Sequence, residues 1–142
     1  MLCQDLMKSE VECFRATDSV QEIARRMRDV NVGFVPICDA DGRPLGTLTD
    51  RDIAIRVCAE DRPATGVRAG DVMTRETVTC RATDDVETAE RLMAEHHKSR
   101  IMVVNDEGRL VGVISLSDVA EQDERHATET LRRVAEREAR TH

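Results

Sequence analysis

Apolar residues recur at helical spacing in one stretch near the start of the chain. Thr17 and Asp18 offer a helix start, and beyond them the apolar side chains fall every three or four positions. These side chains are Val20, Ile23, Ala24, Met27 and Val30. The spacing predicts an amphipathic helix with this face buried.

Two short apolar runs follow this helix, with a polar turn between them. The first run covers residues 34–38 and the second covers residues 45–49, and the intervening turn is rich in Asp and Gly. Runs of this length around such a turn predict a β-hairpin. A second helix is predicted to begin near Asp50.

The second half of the chain repeats this order. Mostly apolar side chains at helical spacing come first. Two short apolar runs at 101–104 and 110–115 then surround another polar turn. The predicted helix face consists of Val86, Ala89, Met93 and His96. The last helix of this half is predicted to begin near Leu116.

The two halves align without a gap when Asp5 is placed on Asp71 and Ala54 on Ala120. About 15 of about 50 aligned positions are identical, which indicates an internal repeat. Each copy is predicted to be a β-α-β-β-α unit of an α+β fold. Because about 50 residues cannot bury a sufficient core alone, the copies are expected to pack on each other.

The predicted organisation has four parts: a first repeat in 1–60, a linker in 61–70, a second repeat in 71–122 and a charged C-terminal helical tail in 123–142. One side of the tail helix carries Ala127, Leu131, Val134 and Ala135. This pattern is typical of a solvated helix with one narrow packing stripe. A dedicated partner-binding helix is the alternative.

Composition and charge exclude several classes of protein. A formal charge of −7 and the lack of a basic stripe argue against nucleic-acid binding. No apolar run approaches the roughly 20 residues of a membrane span, and the first residues lack a secretory signal, so a cytoplasmic location without a membrane partner is expected. No nucleophile elbow, phosphate-binding loop or metalloprotease motif occurs, which predicts a protein that is not an enzyme.

The cysteines and histidines give no metal pattern. The five cysteines form an odd number without a C-x-x-C pair, and reduced, mostly buried thiols are expected rather than a disulfide or a metal site. His96 and His97 lie together at a predicted helix end, where a cationic ring suits the helix dipole. His126 and His142 in the tail indicate no function.

One motif ends both repeats in the same register. It reads Gly-Thr-Leu-Thr-Asp-Arg-Asp at 46–52 and Gly-Val-Ile-Ser-Leu-Ser-Asp at 112–118. From about Asp5 to about Ala120 the chain resembles paired cystathionine β-synthase (CBS) domains, also called a Bateman module. The resemblance implies tandem CBS repeats packed as one pseudo-two-fold, stand-alone module that forms a disc-shaped homodimer.

The Thr/Ser-x-x-Asp part of the motif has two interpretations. A hydroxyl followed by an acid at the start of a helix is close to a capping box. The same groups suit a ribose phosphate, because a helix start attracts phosphate and a carboxylate can accept the ribose hydroxyls. The two interpretations are compatible, and within the resemblance nucleotide binding is favoured.

The resemblance implies that each nucleotide site draws on both repeats. Site one would contain a cationic side chain for phosphate, Arg100, and the residues that pack on or contact adenine. Arg100 could instead be a solvent-facing cation that pairs with acidic side chains. Its predicted members are Thr49, Arg51, Asp52, Thr74, Val78, Lys98, Ser99 and Arg100.

Site two is predicted to be weaker. Phe34 stands where the other copy has Arg100, and it could stack on a base or fill the space. Glu12 stands where the other copy has Val78, and a buried acid near a phosphate is costly. The predicted members are Lys8, Glu12, Val32, Gly33, Phe34, Val113, Ser115 and Asp118.

The expected function is therefore a regulatory sensor of an adenosine-type nucleotide: AMP, ADP, ATP, NAD or S-adenosylmethionine. The nucleotide would be a regulatory ligand, and no catalytic cofactor is expected. The alternative is a ligand-free interaction or stress-associated dimer that acts on an unknown protein target through its surface or its tail. Weak hydrolysis of a bound nucleotide is a remote third possibility.

Overall fold

The computed structural model describes residues 1–122 and 124–141, and these form two compact units. We call Glu12–Thr77 the first-repeat unit. The second-repeat unit consists of Met1–Val11 together with the chain from Val78 onward. Each unit is therefore completed by the short segment that precedes the other repeat.

The first helix of the first-repeat unit, α2, spans Val20–Val30. Its N-cap is Ser19, whose hydroxyl accepts a hydrogen bond from Glu22 N at 3.1 Å. The predicted start at Thr17 and Asp18 was one residue early, because the Asp18 carboxylate instead accepts Arg15 N at 2.8 Å in the preceding turn.

The rest of this unit follows the predicted hairpin-and-helix order. Strands β1 (Phe34–Cys38) and β2 (Pro44–Thr49) form an antiparallel hairpin, and residue 14 pairs in parallel with Ile37. The second helix begins as α3 (Asp50–Ile53) and continues as a π-helical turn (Ala54–Cys58). A 3₁₀ turn (Ala64–Gly66) and helix α4 (Ala69–Val72) complete the unit.

The second-repeat unit begins with α1 (Cys3–Leu6) from the start of the chain. Its three-stranded sheet has the order β3 (Thr79–Arg81), β4 (Arg100–Val104), β5 (Leu110–Ser115). Strand β3 is parallel to β4, and β4 is antiparallel to β5. The helices are α5 (Val86–His96), α6 (Leu116–Gln122) and α7 (Glu124–Thr141).

Each unit has an aliphatic core beneath its sheet. The predicted helix faces supply much of it, including Ile23 and Met27 in one unit and Ala89 and Met93 in the other. Val30 and His96, at the ends of those faces, are exposed, since each helix ends there. The predicted α+β fold with two β-α-β-β-α repeats is confirmed.

Short segments pair with the last strand of each hairpin. Thr74 and Thr47 exchange two backbone hydrogen bonds of 2.9 Å, and Lys8 and Val113 exchange bonds of 2.9 and 3.0 Å. The glycine next to each pairing position leaves room for the close approach. A Cβ on Gly46 would lie 2.4 Å from Thr74 O, which explains why this glycine is shared by the repeats.

Helix α7 packs against α5 and α6. Among its described side chains, the buried ones are Thr130 and Val134, one turn apart, whereas Leu131 is 55% exposed and Ala135 is also exposed. The predicted stripe was therefore correct at Val134 and wrong at Leu131 and Ala135. The Arg137 guanidinium donates to His97 O at 3.0 Å, and the His97 ring contacts Arg133 O at 3.0 Å.

The side chains of Ala127 and His126, as well as all of His142, lie outside the described residues. Within 1–122 and 124–141, none of the helices combines the length and the apolarity that crossing a bilayer requires.

Candidate functional site

The motif of the first repeat forms a corner of three half-buried polar residues, Thr49, Asp52 and Thr74. Thr49 is the N-cap of α3, and its hydroxyl accepts Asp52 N at 3.1 Å. The Asp52 carboxylate returns the contact through Oδ2, which accepts Thr49 N at 3.0 Å. Thr74 Oγ1 donates to Asp52 Oδ1 at 3.3 Å. The structure thus brings together three members of predicted site one.

These bonds hold the Asp52 carboxylate in one orientation without using all its acceptor capacity. Each carboxylate oxygen has two lone pairs, and each oxygen of Asp52 receives one of these hydrogen bonds. One acceptor position is left on each oxygen. Two adjacent acceptors match the two hydroxyls of a vicinal diol, such as that of a ribose.

The motif of the second repeat builds an equivalent corner with a different third member. Asp118 N donates to Ser115 Oγ at 3.2 Å, and Ser115 N donates to Asp118 Oδ2 at 2.9 Å. Asp118 Oδ1 faces the ammonium of Lys8 at 3.9 Å. Ser115 Oγ also lies 2.8 Å from Ser117 Oγ. Lys8, Val113, Ser115 and Asp118 of predicted site two therefore lie together in the second-repeat unit.

Both corners are capping boxes, as the first interpretation predicted. The two corners differ in the residue that contacts the second carboxylate oxygen and in the residue just before the motif Asp. The alignment places Thr74 on Lys8 and Arg51 on Ser117. One corner therefore has a neutral hydroxyl against its carboxylate, and the other has an ammonium.

The remaining residues of predicted site one belong to the second-repeat unit. Arg100 opens β4 and is exposed, as is Ser99, while Lys98 and Val78 are half-buried. Ser99 O accepts Leu116 N at 2.8 Å, and Val78 O accepts Met102 N at 3.3 Å. Arg51 is exposed beside the corner in the first-repeat unit. The contribution of these residues to a site stays a prediction.

The remaining residues of predicted site two belong to the first-repeat unit. Val32 is exposed, and Gly33 and Phe34 are half-buried at the start of β1. Gly33 O accepts Asp50 N at 3.0 Å. Their contribution to a site also stays a prediction.

Glu12 is not the buried acid that the sequence suggested. Its side chain is 49% exposed and forms a two-point ion pair with Arg26, whose Nε donates to Glu12 Oε2 at 2.6 Å. The hydrogen bond from Arg26 holds the pKa of the Glu12 carboxyl below its ordinary value. The role of Arg26 was not predicted, because a pairing across 14 positions has no signature in the spacing of residues.

Ser117 was also missed as a neighbour of Ser115. The alignment of the repeats could have indicated this contact, because Ser117 stands at the position of Arg51. The side chain of Ser117 is short and polar where the other repeat has the long cation Arg51. The Ser117 hydroxyl can therefore contact the Ser115 hydroxyl within the same turn.

All five thiols are free, with Cys3, Cys38 and Cys80 buried and Cys13 and Cys58 exposed. In the part of the chain that the structure describes, no three His, Cys, Asp or Glu side chains converge in a way that could hold a metal ion.

Comparison with protein families identifies the repeats. The CBS domain model matches residues 3–58 and again residues 69–124. The chain belongs to the CBS domain family. The two matched stretches make it a CBS pair, and they contain both Thr/Ser-x-x-Asp corners.

Curated relatives cover most of this CBS pair. An uncharacterized protein of Bacillus subtilis, YlbB, is 34% identical over 136 residues, which are 94% of this chain and 90% of YlbB. Hypoxic response protein 1 of Mycobacterium tuberculosis is 32% identical over 124 residues, 87% of this chain and 86% of that protein. Its crystal structure with two coordinated zinc ions is similar at a TM-score of 0.77 and 30% identity, covering 85% of this chain and 98% of the other.

A transporter contains a similar CBS pair. The magnesium transporter MgtE of Thermus thermophilus is 31% identical over 134 residues, which are 91% of this chain but 28% of the transporter. The crystal structure of the cytosolic domain of the Mg²⁺ channel MgtE in complex with ATP has a TM-score of 0.71 and 28% identity to this chain. That likeness covers 83% of this chain and 47% of the MgtE domain.

Proposed function

We propose that this CBS pair is a regulatory module that binds an adenosine-type nucleotide: AMP, ADP, ATP, NAD or S-adenosylmethionine. The observation that carries the proposal is the Asp52 carboxylate, oriented by Thr49 and Thr74 with one acceptor position left on each oxygen. A ribose diol donates two hydrogen bonds to such a carboxylate. Hydrogen bonds to a charged group contribute about 1.5–3 kcal/mol each, enough to anchor a ribose.

One relative supports an adenosine ligand. The MgtE cytosolic domain is a CBS-pair relative in complex with ATP. We propose that Arg51, Lys98 and Arg100 supply cationic groups for the phosphates and that Val78 and Ser99 contact the base. The function is regulatory in this proposal, because the corner holds a carboxylate acceptor and no activated nucleophile.

The proposal is tested by thermal unfolding with each of the five ligands at millimolar concentration. A ligand that binds only the folded state raises the melting temperature by an amount set by its concentration over its Kd. At least one of the five is expected to raise the Tm of the wild-type protein. Asp52→Asn keeps the size of the side chain and removes its charge, and it is expected to abolish most of that shift.

Asp18→Asn is the matched control, because Asp18 is in the same unit and also accepts a backbone N–H, from Arg15 at 2.8 Å. It is expected to keep the full nucleotide shift. If no ligand shifts the wild-type Tm, nucleotide sensing is wrong. If Asp18→Asn and Asp52→Asn lose the shift equally, the Asp52 corner does not hold the ribose.

Three further predictions belong to this proposal: a homodimer, an unidentified protein target and a cytoplasmic location. The first-repeat unit exposes large apolar side chains at Val30, Val32 and Ile55, which suit a protein interface. Light scattering after size exclusion is expected to give twice the mass of one chain. The mass of one chain would contradict the dimer and leave nucleotide binding intact.

A further inference from the structure

Two buried thiols of the second-repeat unit are in contact. Cys3 Sγ and Cys80 Sγ lie 3.6 Å apart, and the two residues are 0% and 3% exposed. Cys3 belongs to helix α1, whereas Cys80 lies at the centre of β3. The contact therefore joins the segment from the start of the chain to the sheet of the second repeat.

The two thiols are not equivalent. The Cys80 thiol donates its hydrogen bond to the Cys3 sulfur. This bond lowers the pKa of Cys3 and raises the pKa of Cys80, which burial raises further. Since the thiolate is the reactive form of cysteine, this hydrogen bond favours Cys3 over Cys80 as the attacking sulfur.

Helix α1 is short enough to open. It has four residues, and backbone hydrogen bonds hold the segment to the second repeat, among them Cys3 N to Asp84 O at 2.8 Å, Gln4 N to Ala82 O at 2.9 Å and Val86 N to Met1 O at 3.0 Å. Local opening that breaks a few such bonds costs far less than unfolding the unit. Such an opening would expose Cys3 to small molecules, and closing would return its sulfur to Cys80.

We propose that Cys3 and Cys80 form a reversible dithiol site that hydroperoxides oxidise to a disulfide. The reaction needs two thiols at contact distance and access of the hydroperoxide to one of them. The geometry supplies the contact, and opening of the short α1 segment would supply the access. The sulfurs need to approach from 3.6 Å to about 2.05 Å, a movement within reach of a single-turn helix.

The chemistry proceeds in two steps. The Cys3 thiolate attacks one oxygen of the hydroperoxide, so that an S–O bond forms, the O–O bond breaks, and the departing oxygen takes the proton that Cys3 released. The Cys80 sulfur then attacks the sulfenic sulfur of Cys3. The S–S bond forms, the S–O bond breaks, and the hydroxyl leaves with the Cys80 proton as water. With hydrogen peroxide, two thiols lose two electrons and the peroxide becomes two water molecules.

The disulfide would fasten the segment that carries Lys8. Lys8 pairs with Val113 through two backbone hydrogen bonds and faces Asp118, so the fastened segment also forms part of the second-repeat corner. Cross-linking residues that are far apart in sequence restricts the unfolded chain. Oxidation is therefore expected to raise the melting temperature, and a dithiol reductant is expected to reverse the rise.

The test treats the full-length protein with hydrogen peroxide, blocks the remaining thiols with an alkylating reagent and maps the peptides without reduction. We expect a linked Cys3–Cys80 peptide that has lost the mass of two hydrogen atoms. Cys3→Ala is expected to abolish it. Cys58→Ala removes an exposed thiol and is expected to leave its yield unchanged.

Full alkylation of both Cys3 and Cys80 after peroxide treatment would overturn the proposal. So would a disulfide that links either residue to another cysteine, or a Cys3 that is oxidised without any link to Cys80. The Tm of the oxidised wild-type protein, measured before and after dithiothreitol, gives a second readout that needs no variant. An unchanged Tm, despite a mapped link, would contradict the fastening of the segment.

Discussion

The two Thr/Ser-x-x-Asp corners share a backbone and differ in the groups that they present. In both corners a hydroxyl accepts the Asp N–H, and the Asp carboxylate accepts the backbone N–H of the hydroxyl residue. In the first-repeat corner the second carboxylate oxygen accepts a hydroxyl at 3.3 Å, but in the second-repeat corner it faces an ammonium at 3.9 Å. The shared part holds the helix start, and the differing part sets the charge that faces the carboxylate.

This difference separates folding from recognition. A capping box alone explains why both repeats keep the hydroxyl and the acid. It does not explain the third residue, which comes from a separate segment. Thr74 leaves Asp52 its charge and two acceptor positions, whereas Lys8 offsets the charge of Asp118. We therefore propose the first-repeat corner as the better ribose acceptor.

The largest expected effect on stability compares the close packing of the Thr74 segment on Gly46 with that of the Lys8 segment on Gly112. Gly46→Ala places a Cβ 2.4 Å from the backbone oxygen of Thr74, and it is expected to lower the free energy of unfolding by about 3 kcal/mol. At Gly112 a new Cβ would lie 2.6 Å from Met7 Sδ, which can move, and 2.9 Å from the backbone oxygen of Lys8, a milder clash than the 2.4 Å at Gly46. Gly112→Ala is expected to cost about 1 kcal/mol. Urea unfolding measures both, and equal losses would contradict the packing difference.

The next effect tests the helix that only the second-repeat unit has. Val134 is 5% exposed where α7 meets α5 and α6, so Val134→Ala is expected to cost about 2 kcal/mol. Leu131→Ala removes a more exposed side chain from the same helix and is expected to change the free energy of unfolding by less than about 0.5 kcal/mol. A greater loss for Leu131→Ala would mean that the sequence-based stripe was the packed face after all.

Exchanging the third residue tests the recognition difference directly. Thr74→Lys gives Asp52 the neighbour that Asp118 has, and it is expected to weaken nucleotide binding about tenfold, or about 1.4 kcal/mol. Thr74→Ser keeps the hydroxyl and is expected to keep the affinity within about twofold. Calorimetric titration with the nucleotide that raises the Tm most measures both. Stronger binding by Thr74→Lys would show that the ammonium serves the phosphates instead.

The smallest effect concerns the exposed Glu12–Arg26 pair. The other repeat has Val78 at the position of Glu12. Because the pKa of Glu12 is lowered in the folded protein, the pair stabilises the fold above the ordinary glutamate pKa of about 4.3 and loses this contribution as the pH falls through the lowered value. Glu12→Gln is expected to be slightly less stable than wild type at pH 7 and equal to it in acid. A difference that grows in acid would contradict the pairing.

The repeat made most of the fold predictable. Glycines, hairpin turns and helix faces recur at one offset, so each copy supported the interpretation of the other. The tail had no second copy, and there the apolar side chains misled: Leu131 is exposed, while Thr130, a polar residue, is buried. The described buried side chains of α7, Thr130 and Val134, include one polar residue, so the apolar pattern of the sequence does not mark this face.

The candidate site was predictable in its framework but not in its pairings. The motif located Thr49, Asp52, Ser115 and Asp118 without the structure. The resemblance to CBS pairs also implied Thr74 and Lys8 as site members, although only the fold shows that they reach the two carboxylates within their units. Arg26 could not be found, because an ion pair between a loop and a helix depends on the path of the chain between them.

Calorimetric titration of wild type, Asp52→Asn and Asp118→Asn with the same nucleotide tests the central claim, that the first-repeat corner is the competent one. We expect one principal site per wild-type chain, a loss of affinity of about tenfold or more in Asp52→Asn, and near-wild-type binding in Asp118→Asn. Binding that survives Asp52→Asn and disappears in Asp118→Asn would contradict the account.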